Sequence, residues 1–416
     1  MSARRLGWLD VLAIGVNAIV GSGVFSLPDD MRREMGAYSP LAFVLCALLL
    51  IPVAACFAEL SARTDDTGGP YLYAAKAFGP RAGFVIGWSC WLNAFLSWAA
   101  NTTLFVELIG AESKVVAKLA CVGVVALLGA INYVGVKPGA AVVKLVVVGK
   151  LAAIGCFIVA GFFAFDPSRF GGALPHGAAG VGGGIYLALF PLQGFEVVPV
   201  PAGETRDPRR AVPIGLLGSL ALSALLFVVV QTILVGAYPD LAKESVTPLV
   251  DAARYLSPKL GLIVFVGSLI SIGGFTAGSA LGSPRYAYAI AKAGQLPSAL
   301  ARVHQRFGTP HVAIVVTTSA AAALAATFDY RQLVGFSNVT VVFQYAATCL
   351  AVPLLRKKEP AVDGRFKVPG GAWLVPVLGA VGSIALLYGS SGEEFAWSGA
   401  GILLGFVILA IVSRGR

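Results

Sequence analysis

Gly15-Val16-Asn17-Ala18-Ile19-Val20-Gly21-Ser22-Gly23-Val24-Phe25-Ser26-Leu27-Pro28 decides how the chain is read. The stretch lies in the first long apolar segment, which is expected to cross a membrane. A continuous helix would pair every backbone group within the segment. Here Gly21, Ser22 and Gly23 fall near mid-membrane, and Pro28 comes shortly after. Glycine weakens a helix by about 1 kcal/mol relative to alanine. Unpaired backbone groups are costly in hydrocarbon, so a break survives only where protein or a cavity covers it. Two readings compete at this point: a binding site built on the break, or a face of small residues for close helix packing.

The 416 residues are 57% hydrophobic and 12% charged, with a mean hydropathy of +0.82. A soluble domain carries about 25% charged residues, so the chain is read as an all-α polytopic membrane protein in a lipid bilayer. A transmembrane β-barrel would alternate apolar and polar positions over short segments, and these apolar runs are long and continuous. Basic membrane-flanking loops account for the net charge of +10, and no nucleic-acid partner is expected. The six cysteines (Cys46, Cys56, Cys90, Cys121, Cys156 and Cys349) sit in apolar runs without a CxxC pair and read as small buried hydrophobes. His176, His304 and His311 lack metal-ligand spacing, so no metal or cofactor is expected. Met1–Leu9 is too short and polar for a cleavable signal peptide, and no A-x-A site comes after it.

A spanning helix needs about 20 apolar residues. That ruler predicts twelve spans, at 9–35, 39–62, 82–110, 115–134, 140–165, 180–203, 211–237, 258–291, 311–328, 333–355, 372–390 and 395–413. No soluble domain interrupts them, so residues 1–416 form one membrane domain. Most of the 31 Lys and Arg fall in loops on the side of both termini, among them Arg4, Arg81, Arg209, Arg302, Arg356 and Arg416. The positive-inside rule then makes that side cytoplasmic. The turn-rich loop Asp65–Tyr71 leads into a short amphipathic stretch ending at Gly79-Pro80. Lys292–Pro310 carries Lys292, Arg302, His304 and Arg306 with Leu296, Leu300 and Val303. It reads as a helix lying at the interface or as a solvated loop.

The sixth span holds Pro191, Gly194, Pro199 and Pro201 with Glu196. A proline in a helix interior costs about 3 kcal/mol, so this span is also predicted to be discontinuous. The two broken spans are five apart, and spans three and eight are both unusually long. An odd repeat of five spans puts the repeats in opposite orientations, the mark of an inverted-repeat transporter. The repeats would cover about 9–165 and 180–355, with 372–390 and 395–413 as extra helices. Half-helix N-termini suit a carboxylate and half-helix carbonyls suit an ammonium. An α-amino acid carries both groups.

At these residues the chain resembles the amino acid–polyamine–organocation permeases. The pattern N-x-I-x-G-S-G-[VI]-F stands at Asn17–Phe25. The pattern F-x-x-x-G-[FV]-E stands at Phe190–Glu196, and E-x-x-[ND]-P-x-R-x-x-P at Glu204–Pro213. The resemblance spans nearly the whole chain and implies the leucine-transporter fold. It implies that the Gly23 amide and the Ser22 hydroxyl and amide hold a carboxylate. The carbonyls of Ile19, Phe190 and Gln193 would hold the ammonium, and Phe190 and Phe195 would flank the substrate. Gly21 and Gly194, inside the two motifs, complete the expected binding set. Pro191 and Gln193 depart from the small or aliphatic residues usual there. Gln193 either meets a polar substrate side chain or braces the unwound backbone.

Lys150 stands mid-span in Lys144–Phe157. A charged lysine there costs roughly 2.5–3.5 kcal/mol on insertion scales, which marks it as interior and functional. In sodium-coupled relatives of the fold, a cation sits between spans one, five and eight. The resemblance to proton-coupled members implies that the Lys150 ammonium takes its place. Lys150 then either cycles a proton, acts as a charged strut to span one, or snorkels toward lipid. Glu196 resembles the glutamate that couples protonation to gating in arginine–agmatine exchangers; a structural hydrogen bond is the alternative. Glu107 is expected at outer solvent. Asn93, Trp98 and Asn101 are possible pocket residues, and Ser271 and Thr276 are candidates for the cation or lysine site.

The function expected is secondary active transport of neutral L-amino acids by alternating access, driven by protons or by exchange, in a bacterial inner membrane. A cationic amino acid or polyamine is the alternative substrate. A transporter-fold sensor and a channel are the rivals from other classes. No nucleophile–base pair or cofactor motif points to an enzyme.

Overall fold

The computed structural model describes residues 7–63, 69–110, 113–135, 140–199, 205, 207–358 and 366–414. Among them the chain is helical throughout, without a strand. Glu204, Arg206, Pro201, Asp65–Gly68 and the basic terminal residues Arg4, Arg5 and Arg416 lie outside the described residues.

The first expected span divides into three pieces. α1 (Trp8–Ile19) ends, residues 20–22 form a bend, and α2 (Gly23–Ser26) resumes the helix. α3 (Pro28–Met35) starts at Pro28, where the missing N–H has no partner to lose. Next come α4 (Pro40–Arg63), the short α5 (Gly69–Phe78), α6 (Pro80–Leu108), α7 (Lys114–Val134) and α8 (Ala140–Phe163). The second broken element begins as α9 (Gly177–Leu192) and continues as a 3₁₀ turn, Phe195–Val197. Thus the first half of the discontinuous span expected over 180–203 stops at Leu192, and no second α-helical half of it occurs among the described residues. The rest of the chain is α10 (Pro208–Ala237), α11 (Pro248–Leu256), α12 (Pro258–Lys292), α13 (His311–Thr327), α14 (Tyr330–Lys358), α15 (Leu374–Ala385) and α16 (Gly392–Arg414).

Among the described residues, nine helical stretches are long and apolar enough to cross a membrane, two of them the broken Trp8–Ser26 and Gly177–Val197; His311–Thr327 and Leu374–Gly389 are shorter apolar helices. α6 has the length but buries Asn93, Asn101, Thr102 and Thr103. Its polar face turns inward, as an intramembrane polar face must. The outward surfaces of α7, α8 and α16 carry exposed Leu119, Phe163 and Leu403, suited to hydrocarbon. Cys156, expected buried, is among the exposed residues.

The packing has a reciprocal pattern. α1 lies on α10, and α9 lies on α4, so each broken element packs on the helix that comes after the other break. Likewise α12 packs on both α6 and α8, while α14 packs on α6. α11, in a connection expected to be loop, buries Leu249, Val250, Ala252 and Ala253 beside α2 and α12. The interfacial helix expected over 292–310 is only a 3₁₀ turn, Ser298–Ala301. Leu296 and Leu300 anchor the segment and Val303 is exposed.

One buried charge cluster ties three elements at the α4 end. Glu59 is fully buried and takes two hydrogen bonds from Arg356, at 2.8 and 2.5 Å. Arg63 pairs with it at 2.9 Å, and the Val368 amide donates to it at 2.8 Å. Removing one partner of a buried pair strands the other charge and costs on the order of 3 kcal/mol. Glu59→Ala is therefore expected to lower the melting temperature of the purified protein markedly. A variant that melts with the parent would show that this cluster contributes nothing to stability.

Candidate functional site

α1 loses its hydrogen-bond ladder at the first break. The Val20 amide still reaches Val16 O at 2.8 Å, but the Gly21 amide turns back to Ile19 O at 2.9 Å. The new ladder begins when the Phe25 amide donates to Ser22 O at 2.9 Å. Carbonyls left over by the interruption are met from outside. Lys150 Nζ, from α8, donates to Asn17 O at 3.0 Å and Val20 O at 2.5 Å. Ser271 Oγ, from α12, donates to Gly21 O at 3.1 Å.

At the second break Gln193 is extended and Gly194 is left-handed, with φ +112°. The two breaks touch. A Cβ added to Gly194 would lie 2.5 Å from Ala18 O, and one added to Gly23 would lie 2.5 Å from Pro191 Cγ. Glycine at both positions lets one interrupted backbone rest on the other. The Glu196 carboxylate folds over its own break: Oε2 accepts from the Gly194 amide at 2.8 Å and from the Tyr345 hydroxyl at 3.0 Å. Gln193 Nε2 donates to Asn338 Oδ1 at 2.6 Å, while Ser337 Oγ lies 2.7 Å from Asn93 Oδ1 and 3.3 Å from Gln193 Oε1. The donor end of that amide is therefore engaged with α14.

A cavity of about 880 Å³ opens beside the two breaks. Ser22, Gly23, Phe190 and Glu196 form one wall, and Asn93, Ser97 and Asn101 of α6 form another. A third runs along α12 from Gly274 to Lys292, so the cavity reaches the end of the molecule bearing Tyr71, Arg285 and Lys292. The opposite end is closed in two tiers. Next to the break, the Phe190 ring meets Tyr330 edge-on, with centroids 6.2 Å apart. Tyr330 Oη is 3.2 Å from Ser22 Oγ and 2.7 Å from Ser26 Oγ. Beyond it, Arg331 binds Asp30 at 2.9 Å and Glu244 at 2.7 Å, and Arg33 pairs with Asp29 and Asp30.

Ile19, Gly21, Ser22, Gly23, Phe190, Gln193, Gly194 and Glu196 all line the cavity. Two expected site residues do not. Phe195 is buried behind the break, stacked on Tyr345 at 5.2 Å and edge-on to Phe57 at 5.8 Å. It supports the turn and does not flank the cavity. Lys150 sits behind the first break, where it holds backbone carbonyls. Of the α6 candidates, Asn93 and Asn101 line the cavity, and Trp98 is not among its lining residues. Glu107 is exposed. On α12, Ser271 joins the Lys150 site, while Thr276 donates to Ile272 O of its own helix.

Tyr330 escapes a hydropathy ruler because Asp329-Tyr330-Arg331-Gln332 is too polar, and the ruler starts the span at 333. A local signal is present in the sequence. Asp329 and Gln332 exchange side-chain and backbone hydrogen bonds at 2.9 and 3.2 Å, the reciprocal pattern of a capping box.

The family profile described as amino acid permease matches residues 6–409. The methylthioribose transporter of Bacillus subtilis (strain 168) is 26% identical over 99% of this chain and 94% of its own. The branched-chain amino acid permease BcaP of the same organism is 24% identical over 99% of this chain and 93% of its own. Cationic amino acid transporter 4 of Mus musculus is 29% identical over 88% of this chain and 62% of its own.

Proposed function

The chain belongs to the amino acid permease family, and from that premise we propose that it carries neutral L-amino acids by alternating access between two inverted five-helix repeats. It is a multi-pass membrane transporter and not an enzyme. The single observation that carries the reading is the meeting of the two breaks, Gly23 on Pro191 and Gly194 on Ala18, at the wall of one cavity. The twelve-span, leucine-transporter arrangement is supported by the reciprocal packing of α1 on α10 and α9 on α4. A two-fold relation between repeats exchanges those two pairs.

The amides of Ser22 and Gly23 at the start of α2 suit a carboxylate, and the carbonyl end of α9 near Phe190 and Gln193 suits an ammonium. Neutral side chains fit because, among the described residues, Glu196 is the one carboxylate on the cavity wall. Its Oε2 is already held by Gly194 and Tyr345. The open end bears Arg285 and Lys292. By the positive-inside rule that end is cytoplasmic, which makes the conformation inward-open. Coupling is proton symport or exchange, with Lys150 occupying the place of a bound cation.

Uptake into proteoliposomes tests the substrate, with leucine, alanine, arginine, putrescine and methylthioribose as the panel and a proton gradient applied or absent. Leucine or alanine uptake is expected. Arginine uptake that leucine does not compete would replace the neutral reading with the cationic one, and methylthioribose uptake alone would remove the amino acid reading. Losing a hydrogen bond to a charged group costs about 1.5–3 kcal/mol, so Ser22→Ala should raise KM by roughly ten- to a hundredfold. An unchanged KM would sink the carboxylate assignment of Ser22.

A further inference from the structure

Ser22 lines the cavity, and its hydroxyl needs a spare proton if it is to donate to a carboxylate. A serine hydroxyl left to itself rotates among partners. The hydrogen-bond pattern behind it removes that freedom. Ser26 Oγ lies 2.7 Å from Tyr330 Oη and 3.1 Å from Ser22 O. It has one proton to give, and the shorter contact is to the tyrosine oxygen. Tyr330 then has its own single proton left, and its other hydroxyl neighbour is Ser22 Oγ at 3.2 Å. Ser22, accepting from Tyr330, keeps its proton for the cavity.

We propose that Tyr330 is a positioning residue for substrate binding: the chain Ser26 to Tyr330 to Ser22 fixes the Ser22 hydroxyl as a donor aimed at the substrate carboxylate. The inference deepens the carboxylate reading of Ser22 and rests on it. Tyr330 is suited to the task because it cannot turn away. It is 5% exposed, its ring is held by Phe190, and Arg331 beside it is anchored to Asp30 and Glu244. Because one helical turn of α14 carries both contacts, the donor is aligned only while that end of the molecule is closed. A substrate released toward the open end leaves a Ser22 that is still oriented. Opening of the Tyr330 side would free the hydroxyl.

The test is a double-mutant cycle on the full-length protein in proteoliposomes. L-Leucine is the transported probe, and isoamylamine, which lacks the carboxyl group altogether, is the competitor. Tyr330→Phe should raise the KM for leucine about tenfold, with the effect on KM and not on the maximal rate. Inhibition by isoamylamine should hold at its parental value. In the Ser22→Ala background, Tyr330→Phe should add nothing, because the hydroxyl it orients is gone. Ser26→Ala, which removes only the first donor, should raise KM about threefold and keeps the proposal testable if Tyr330→Phe fails to fold. A tenfold Tyr330→Phe effect that persists without Ser22, or that weakens isoamylamine equally, would overturn the relay. If Ser22→Ala raises KM while Tyr330→Phe and Ser26→Ala do not, the relay fails and the Ser22 assignment stands. If Ser22→Ala changes nothing, both fail.

Discussion

Gly194→Ala should reduce uptake more than a hundredfold at matched amounts of protein in the membrane. Two independent effects act at the one Cβ. The backbone there has φ +112°, and holding a non-glycine residue in such a sparsely populated region costs about 1–3 kcal/mol. The added methyl also meets unyielding atoms. Ala18 O would be 2.5 Å away, Ala18 C 2.7 Å and Ile19 N 3.0 Å. All three are backbone, so no side-chain rotation relieves the contact. The two breaks must separate, and the wall they share comes apart with them. Gly155→Ala supplies the contrast: a Cβ on that α8 glycine meets no atom within 4 Å. The alanine gains up to about 1 kcal/mol of helix propensity, so uptake and melting temperature should hold or rise slightly. Measuring initial uptake rates of both variants checks the argument, and parental uptake by Gly194→Ala would show that the breaks do not need to touch.

Both breaks were legible because glycine, serine and proline are conspicuous inside apolar runs. At 21–23 and 191–194 the chain gives up helix propensity where hydrocarbon makes an unpaired backbone most expensive. The conformation of the second break was less legible. Proline and glycine mark the end of α9 without specifying the path of the chain beyond it, which is a 3₁₀ turn at Phe195–Val197. Phe195 illustrates the limit of position-by-position reasoning. One residue past a left-handed glycine, its direction is set by the turn, which carries the ring away from the cavity and onto Tyr345. Lys150 was conspicuous as a charge in mid-span, yet its partners are backbone carbonyls, and these leave no trace in side-chain identity. Tyr330 and α11 were hidden for the opposite reason. Their segments are polar and short, and their order comes from caps and tertiary packing that a hydropathy window averages away.

Lys150→Ala should abolish uptake, and the way it fails bears on coupling. The lysine is 1% exposed, and among the described residues it meets two carbonyls, Asn17 O and Val20 O, with no carboxylate partner. Truncation leaves those two carbonyls without their donor, and each buried unsatisfied group costs about 1–3 kcal/mol. Ser271 Oγ reaches Val20 O only at 3.4 Å and is already engaged with Gly21 O. The carbonyl end of α1 would have to rearrange, and that end carries Ile19 and Gly21 into the cavity. The same geometry tolerates two protonation states. A protonated lysine offers three N–H donors and a neutral one offers two, and two acceptors are present. The site can therefore give up a proton without losing either hydrogen bond, which is what a coupling residue requires and a permanently charged strut does not. Lys150→Gln keeps a two-donor head group that cannot titrate. Its residual uptake, measured from acid to neutral pH, is expected to be flat where the parent's varies. A parental pH profile in Lys150→Gln would leave Lys150 as a strut and move the coupling proton elsewhere, with Glu196 as the next residue to substitute.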